Sequence, residues 1–231
     1  MKTPRYLYRY KPCEEIRIDS LLHGLLWLSK PSHFDDELDC NIRVDRPVDY
    51  LEIIKLKEYF LVRGPLFVSR NDLQNHPTLA TLEQIQRSTN LIFESYKKRA
   101  RAEYGIFCLA QVPNNPKLWK YYTKDTGYCI EFNTSFYPFS LAKEVNYFNE
   151  IRTFSLTSIL NEEINVINEM VTSKLSSWSY QNEWRIIMEG GDRSMGYDFG
   201  SINKIYLSKN IQLEYKEKIE EFVGKSKIII V

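Results

Sequence analysis

Tyr104-Gly105-Ile106-Phe107-Cys108-Leu109-Ala110 and Tyr128-Cys129-Ile130-Glu131-Phe132 are the two stretches on which the fold turns. Each is a short apolar run of strand length beside turn-forming residues, so each reads as a buried strand. Between them Pro113-Asn114-Asn115-Pro116 is a turn, and Trp119 and Tyr122 ride a short helix. Lys124-Asp125-Thr126-Gly127 then turns the chain into the second run. On the N-terminal side, residues 6–10 alternate as a strand, and Asp19-Ser20 can cap a short helix through His23 that Gly24 stops. Residues 25–29 give a second strand, and 31–39 an acidic loop. Helical spacing covers 48–63, and a longer helix runs from Thr78 or Thr81 to Arg101. On the C-terminal side come a strand at 144–148, an amphipathic helix over 155–175 and a strand at 182–188. A strand–helix–strand unit at 202–207, 213–223 and 227–231 closes the chain. This pattern predicts one α+β domain over residues 1–231. Its sheet is expected to be mixed and largely antiparallel, with helices inserted at about 48–102.

A chain of 231 residues can bury a full core. Hydrophobic residues make up 43% and charged residues 26%, which is ordinary for a globular protein. The 16 tyrosines suit half-wet surfaces, either at a ligand groove or at the boundary of a core. The 31 basic and 30 acidic residues nearly cancel, which argues against a protein that coats nucleic acid or a membrane surface. Lys97-Lys98-Arg99-Ala100-Arg101 is the one dense basic run, and at helical spacing it reads as a solvated face. Cys13, Cys40, Cys108 and Cys129 form no C-x-x-C pair, and the three histidines stand apart from them, so no metal site is expected. No run approaches the ~18 apolar residues of a membrane span and no signal peptide is evident, so the expected compartment is the cytoplasm.

No G-x-G-x-x-G, P-loop, G-x-S-x-G or H-E-x-x-H motif is present. The chemistry therefore has to come from denser, less stereotyped stretches. The richest is Trp178-Ser179-Tyr180-Gln181-Asn182-Glu183-Trp184-Arg185, which sets aromatic rings beside a carboxylate and a cation. Such a mixture suits a pocket that stacks a flat ligand and holds its polar edge. Glu131 and Glu183 each sit inside an apolar strand, where a carboxylate must be paired or open into a cleft. Arg185 lies two residues from Glu183 and shares its face, so an ion pair of Arg185 with Glu183 or Glu131 is the structural alternative. Trp119 and Tyr122, three apart on a helix, form either a stacking wall or core packing. Arg9, between Tyr8 and Tyr10, reads as an anion clamp or as a surface arginine of an edge strand. Asp35, Asp36, Glu37 and Asp39 either gather a hard cation or bond their own loop backbone.

Five blocks resemble a bacterial and phage-associated family known as domain of unknown function 2971. They are Leu7-Tyr8-Arg9-Tyr10, then Leu26-Trp27-Leu28-Ser29-Lys30-Pro31 leading to Phe34-Asp35-Asp36-Glu37-Leu38-Asp39-Cys40, and Gly105-Ile106-Phe107-Cys108-Leu109. The fourth is Asn115-Pro116-Lys117-Leu118-Trp119 through Tyr122 to Gly127-Tyr128-Cys129-Ile130-Glu131-Phe132, and the fifth is Trp178-Ser179-Tyr180 with Asn182-Glu183-Trp184-Arg185. Three positions depart from the family pattern: Asp35 stands for Asn, Glu37 for Pro, and Gln181 where a first Glu often lies. Glu183 is then the carboxylate of the last block.

The family's layout is similar to the ADP-ribosyltransferase-like fold, and that likeness implies roles. Glu183 would be catalytic, with Arg9, Tyr10, Trp119, Tyr122, Glu131, Trp178 and Arg185 around the substrate. NAD would be the substrate and no metal would be needed. A fixed carboxylate would stabilise the positive charge that develops on the ribose as nicotinamide leaves. The setting implied is phage defence or a toxin system, with a protein or nucleic-acid acceptor left open. Two other readings follow from the residues. A non-enzymatic module would bind a nucleotide or protein in the aromatic groove, with Glu183 paired to Arg185. A metal-dependent nuclease would bring Asp36, Asp39 and Glu131 together.

Overall fold

The computed structural model describes residues 2–45, 79–155, 158–159 and 165–231. Its centre is a seven-stranded sheet in an α+β fold. The strands are β1 (Tyr6–Lys11), β4 (Tyr104–Ala110), β5 (Tyr128–Asn133), β6 (Lys143–Glu144), β10 (Glu183–Glu189), β12 (Ile202–Leu207) and β13 (Ile228–Ile230). They are ordered β13-β12-β5-β1-β4-β10-β6, and every pairing is antiparallel except that of β12 with β13. Helix α4 (Leu213–Val223) makes the crossover between those two parallel strands, as the closing strand–helix–strand pattern predicts. Smaller two-stranded sheets join β2 (Leu25–Leu28) to β11 (Arg193–Gly196), β3 (Arg43–Asp45) to β8 (Thr153–Ser155), and β7 (Asn146–Phe148) to β9 (Ser173–Leu175).

Side-chain alternation gives the sheet two faces. One carries Leu7, Phe107, Ile130 and Ile186 against Ile18 and Leu21 of α1 (Glu15–Leu22), Leu28 of β2 and Ile219 of α4. The other carries Ile106 and half-buried Cys108 against Ala100 of α2 (Leu79–Ala102) and Met170 of α3 (Val166–Thr172). Further along that second face, Tyr10, Ala110 and Cys129 pack under Leu118 and Trp119. Among the described residues no helix is long and apolar enough to cross a membrane.

Four details differ from the sequence expectation. Helix α1 starts at Glu15 rather than beyond Asp19. Asp19 and Ser20 lie inside it, where the Ser20 hydroxyl donates to the Ile16 carbonyl instead of capping. The expected stop does hold, because Gly24 takes φ +62, and a Cβ there would meet the Phe199 ring at 2.9 Å. Of the amphipathic helix expected over 155–175, residues 158–159 and α3 are helical and 156–157 and 160–164 lie outside the described residues, but Ser155 belongs to β8, and 173–175 pair in parallel with β7. Strand pairing with distant residues overrode the local helical period there. The single strand expected at 144–148 is two, β6 and β7, in different sheets. Strand β11 had not been expected, and the helix read over 48–63 lies outside the described residues.

One break in the sheet shapes the candidate site. Strand β1 pairs with β5 along its length, and β4 pairs with β10 along its length. Between β1 and β4 there is a single register pair, Tyr8 with Ala110. Beyond it the two strands part, and Ser29 bridges to the freed edge of β4 at Ile106. The sheet is therefore split.

Candidate functional site

A cleft of about 340 Å³ opens at the split. By strand register Arg9 and Lys11 stand on the face of Ile130, whereas Cys108 and Glu183 stand on the face of Glu131. All four line the same cleft, so it passes from one face of the sheet to the other between β1 and β4. A side recess of about 30 Å³ adds Tyr8, Tyr10 and Leu118 to the shared wall of Arg9, Tyr122, Gln181 and Glu183.

The β1 side is cationic. Arg9 donates to the Cys108 carbonyl at 2.6 Å and lies 4.9 Å from the centre of the Phe107 ring. Its Nε is buried and has no hydrogen-bond partner among the described residues. Lys11 has no ion pair or conventional hydrogen bond to a described side chain, and its amine sits 6.0 Å from the same ring centre. Burial, then Arg9 and Arg17, push its pKa well below the usual lysine range. Gly127 shapes this corner, since a Cβ there would lie 2.1 Å from the Lys11 carbonyl. Arg17 reaches in from α1, held among the described residues only by an exposed contact of 3.6 Å to Glu14.

The β10 side holds a closed set of four charges. Arg185 is fully buried. Its NH2 nitrogen donates to both Asp39 oxygens at 2.8 Å, and its Nε donates to Glu183 Oε1 at 2.7 Å. The remaining nitrogen meets the Val171 carbonyl and Cys40 Sγ. Lys174 donates to Glu183 at 2.8 Å and to Gln181 at 2.9 Å, and forms an ion pair with Asp39 at 3.1 Å. Two carboxylates and two cations cancel, and each charge is hydrogen-bonded, as burial demands. Burial opposes ionisation of Glu183, but Arg185 and Lys174 overcome it and hold the pKa at about 2. Each Glu183 oxygen accepts one of these bonds, so lone pairs remain on the edge that lines the cleft.

The mouth on that side is aromatic. Tyr121 meets Tyr122 edge-on at 4.9 Å and Trp178 at 6.3 Å. The Lys174 amine lies 5.2 Å from the Trp178 ring centre. Gln181 ties this wall to the charges, donating to the Tyr122 hydroxyl at 3.1 Å while accepting from Lys174. Tyr121 donates to Asp35 at 3.0 Å, joining the acidic loop to the rim.

Of the residues singled out in the sequence, Arg9, Asp35, Asp36, Asp39, Tyr122, Trp178 and Glu183 line the cleft. Tyr10 lines the side recess and bonds the Val112 carbonyl at 2.7 Å. Arg185 stands behind Glu183 as its ion-pair partner. Trp119 is buried edge-on against Tyr10 at 5.4 Å and does not line the cleft. Glu131 is also outside it, buried and accepting from Asn203 and from Tyr206 at 2.8 Å. Asp36, Asp39 and Glu131 do not converge: Asp36 accepts from the Leu38 amide, and Asp39 is held by Arg185 and Lys174. Among the described residues no group of three His, Cys, Asp or Glu side chains is placed to hold a metal. Burial pushes the Cys108 thiol up to about 12, so it is not a thiolate nucleophile near neutral pH.

Sequence reading did not single out Lys11, Arg17, Lys174 or Tyr121. Lys11 had a signal, since it lies two residues after Arg9 on the same strand face. Lys174 was hidden by the helical reading of 155–175.

The family model for a protein of unknown function (DUF2971) matches residues 118–186. That is under a third of the chain, and it takes in the last block of the resemblance and most of the fourth. No curated protein and no solved structure matches. The comparisons give no support to the likeness to ADP-ribosyltransferases.

Proposed function

We propose that the protein binds a nucleotide in the through-sheet cleft, acting as a ligand-binding module, and that NAD is the nucleotide to test first. The observation that carries this reading is the joining of two unlike ends. Cations that have, among the described residues, no carboxylate partner but the exposed Glu14 beside Arg17 lie on the β1 side, and edge-on aromatic rings lie on the β10 side. Phosphate oxygens suit the first and a flat base suits the second. Glu183, fixed as a carboxylate with spare acceptor capacity, takes a ribose hydroxyl between them. Its pairing with Arg185 is the feature a binding module calls for. Calorimetric titration of NAD is the test. Saturable binding that weakens in Trp178→Ala supports the module; no binding of NAD, ADP or AMP removes it.

One observation favours a second reading, the transfer of ADP-ribose. Glu183 stays ionised at the cleft wall, where a developing oxocarbenium charge would be stabilised. Bond cleavage would send the nicotinamide out with the bonding pair and leave the ribose carbon to water or an acceptor nucleophile. Incubation with NAD and measurement of released nicotinamide separates the readings. Release by the parent protein and its loss in Glu183→Gln favours the enzyme, and binding without release favours the module.

A further inference from the structure

We infer that Lys11 and Arg17 join Arg9 in a phosphate subsite at the β1 end of the cleft, one that holds a pyrophosphate or a terminal phosphate. The inference deepens the nucleotide reading and rests on it only for the identity of the rest of the ligand.

Three observations carry it. The three cations come from two elements, β1 and α1, yet line one space. The same three also line a second, small cavity of about 20 Å³ beside Trp27. They are also short of counter-charge. Arg9 keeps a buried Nε with no acceptor, no described carboxylate pairs with Lys11, and Arg17 has only its exposed contact with Glu14. An exposed pair of that kind contributes little. Finally, the neighbouring cations are spoken for. Lys174 and Arg185 are each bound to both Asp39 and Glu183, so that cluster neither needs an anion nor neutralises the β1 side.

Like charges gathered in a half-buried space repel one another unless an anion completes the set. Besides burial, Arg9 and Arg17 oppose the charge of Lys11, and Cys108 and Glu14 favour it less strongly. A phosphate dianion would supply what Glu14, exposed at the rim, does not. Arginine forks suit phosphate oxygens in pairs, and the lysine adds a point charge.

The test is calorimetric titration of inorganic pyrophosphate at fixed ionic strength into the parent protein, Lys11→Met, Arg17→Gln and the remote control Arg99→Gln. Arg99 pairs with Glu103 on α2 and does not line the cleft. The expected result is binding by the parent and the control, weakened at least about tenfold in Lys11→Met and in Arg17→Gln. Circular dichroism establishes that each variant is folded. Pyrophosphate that does not bind the parent overturns the inference, as does equal binding by folded Lys11→Met. NAD titrated in parallel separates this failure from that of the nucleotide reading. NAD binding unchanged in Lys11→Met sinks the subsite and leaves the nucleotide reading standing. Pyrophosphate binding without NAD binding sustains the subsite and removes NAD as the ligand.

Discussion

The two walls of the cleft treat positive charge in opposite ways, buried on one and half-buried on the other. On β10 and β9, Arg185 and Lys174 are matched by Asp39 and Glu183, and nearly every donor has an acceptor. On β1 and α1, Arg9, Lys11 and Arg17 have among the described residues only the exposed contact of Arg17 with Glu14. A satisfied buried ion set is retained by the fold and specifies its geometry; here it ties the loop bearing Asp39 to a central strand. An unsatisfied set costs stability, and the fold tolerates it where the charges face a space that a ligand can enter. On the proposed nucleotide reading, the difference gives structure to one wall and recognition to the other.

The comparison breaks first at Arg185. Arg185→Met leaves two buried carboxylates with one lysine between them, and the expected loss is about 3–5 kcal/mol of folding stability. Urea unfolding measures it, and a loss below about 1 kcal/mol would show that the charge set is not structural.

Acid tests the same wall next. The folded pKa of Glu183 lies at about 2, below its ordinary 4.5. The stability it contributes is therefore present above pH 4.5 and is lost as pH falls toward 2. Thermal melts of the parent across that window should fall in midpoint, and a flat profile would contradict the pairing.

At the mouth, Trp178→Ala should cost about 1–3 kcal/mol of nucleotide binding through lost stacking, with the unfolding midpoint almost unmoved. On the cationic wall the sign reverses. Lys11→Met should raise folding stability by up to about 1 kcal/mol, because it removes a half-buried charge that Arg9 and Arg17 repel and that no described carboxylate pairs. Stabilisation at β1 beside destabilisation at Arg185 would sharpen the contrast, whereas equal destabilisation would erase it. The smallest effect belongs to Tyr122→Phe, which removes the hydrogen bond from Gln181 and should cost about 0.5–1.5 kcal/mol in the same urea assay.

Sequence periodicity made the central strands legible, because runs such as 104–110 and 128–132 are buried on both faces and carry their own boundaries. It also found the closing strand–helix–strand unit. It misplaced what depends on partners far along the chain. Residues 173–175 have helical spacing but pair with β7, and that misreading hid Lys174. For the site, the dense stretch 178–185 pointed to Glu183 and Trp178, and the two-residue spacing of Glu183 and Arg185 foretold their ion pair. The split between β1 and β4 has no local signature. It is a failure of pairing between two strands nearly a hundred residues apart in sequence, and only the register reveals that it puts Arg9 and Glu183 on one cleft. Trp119 and Tyr122 show the same limit at short range. Three residues apart, one is buried on Tyr10 and the other opens onto the cleft, because the turn they share is wider than an α-helical one.

The most direct measurement is a calorimetric titration of NAD into the parent protein, repeated with folded Lys11→Met and Trp178→Ala. Saturable binding by the parent, weakened in both variants, is the expected result, since the two substitutions lie at opposite ends of one cleft. No binding by the parent, or binding that both variants retain in full, would contradict the assignment of the split sheet as a nucleotide site.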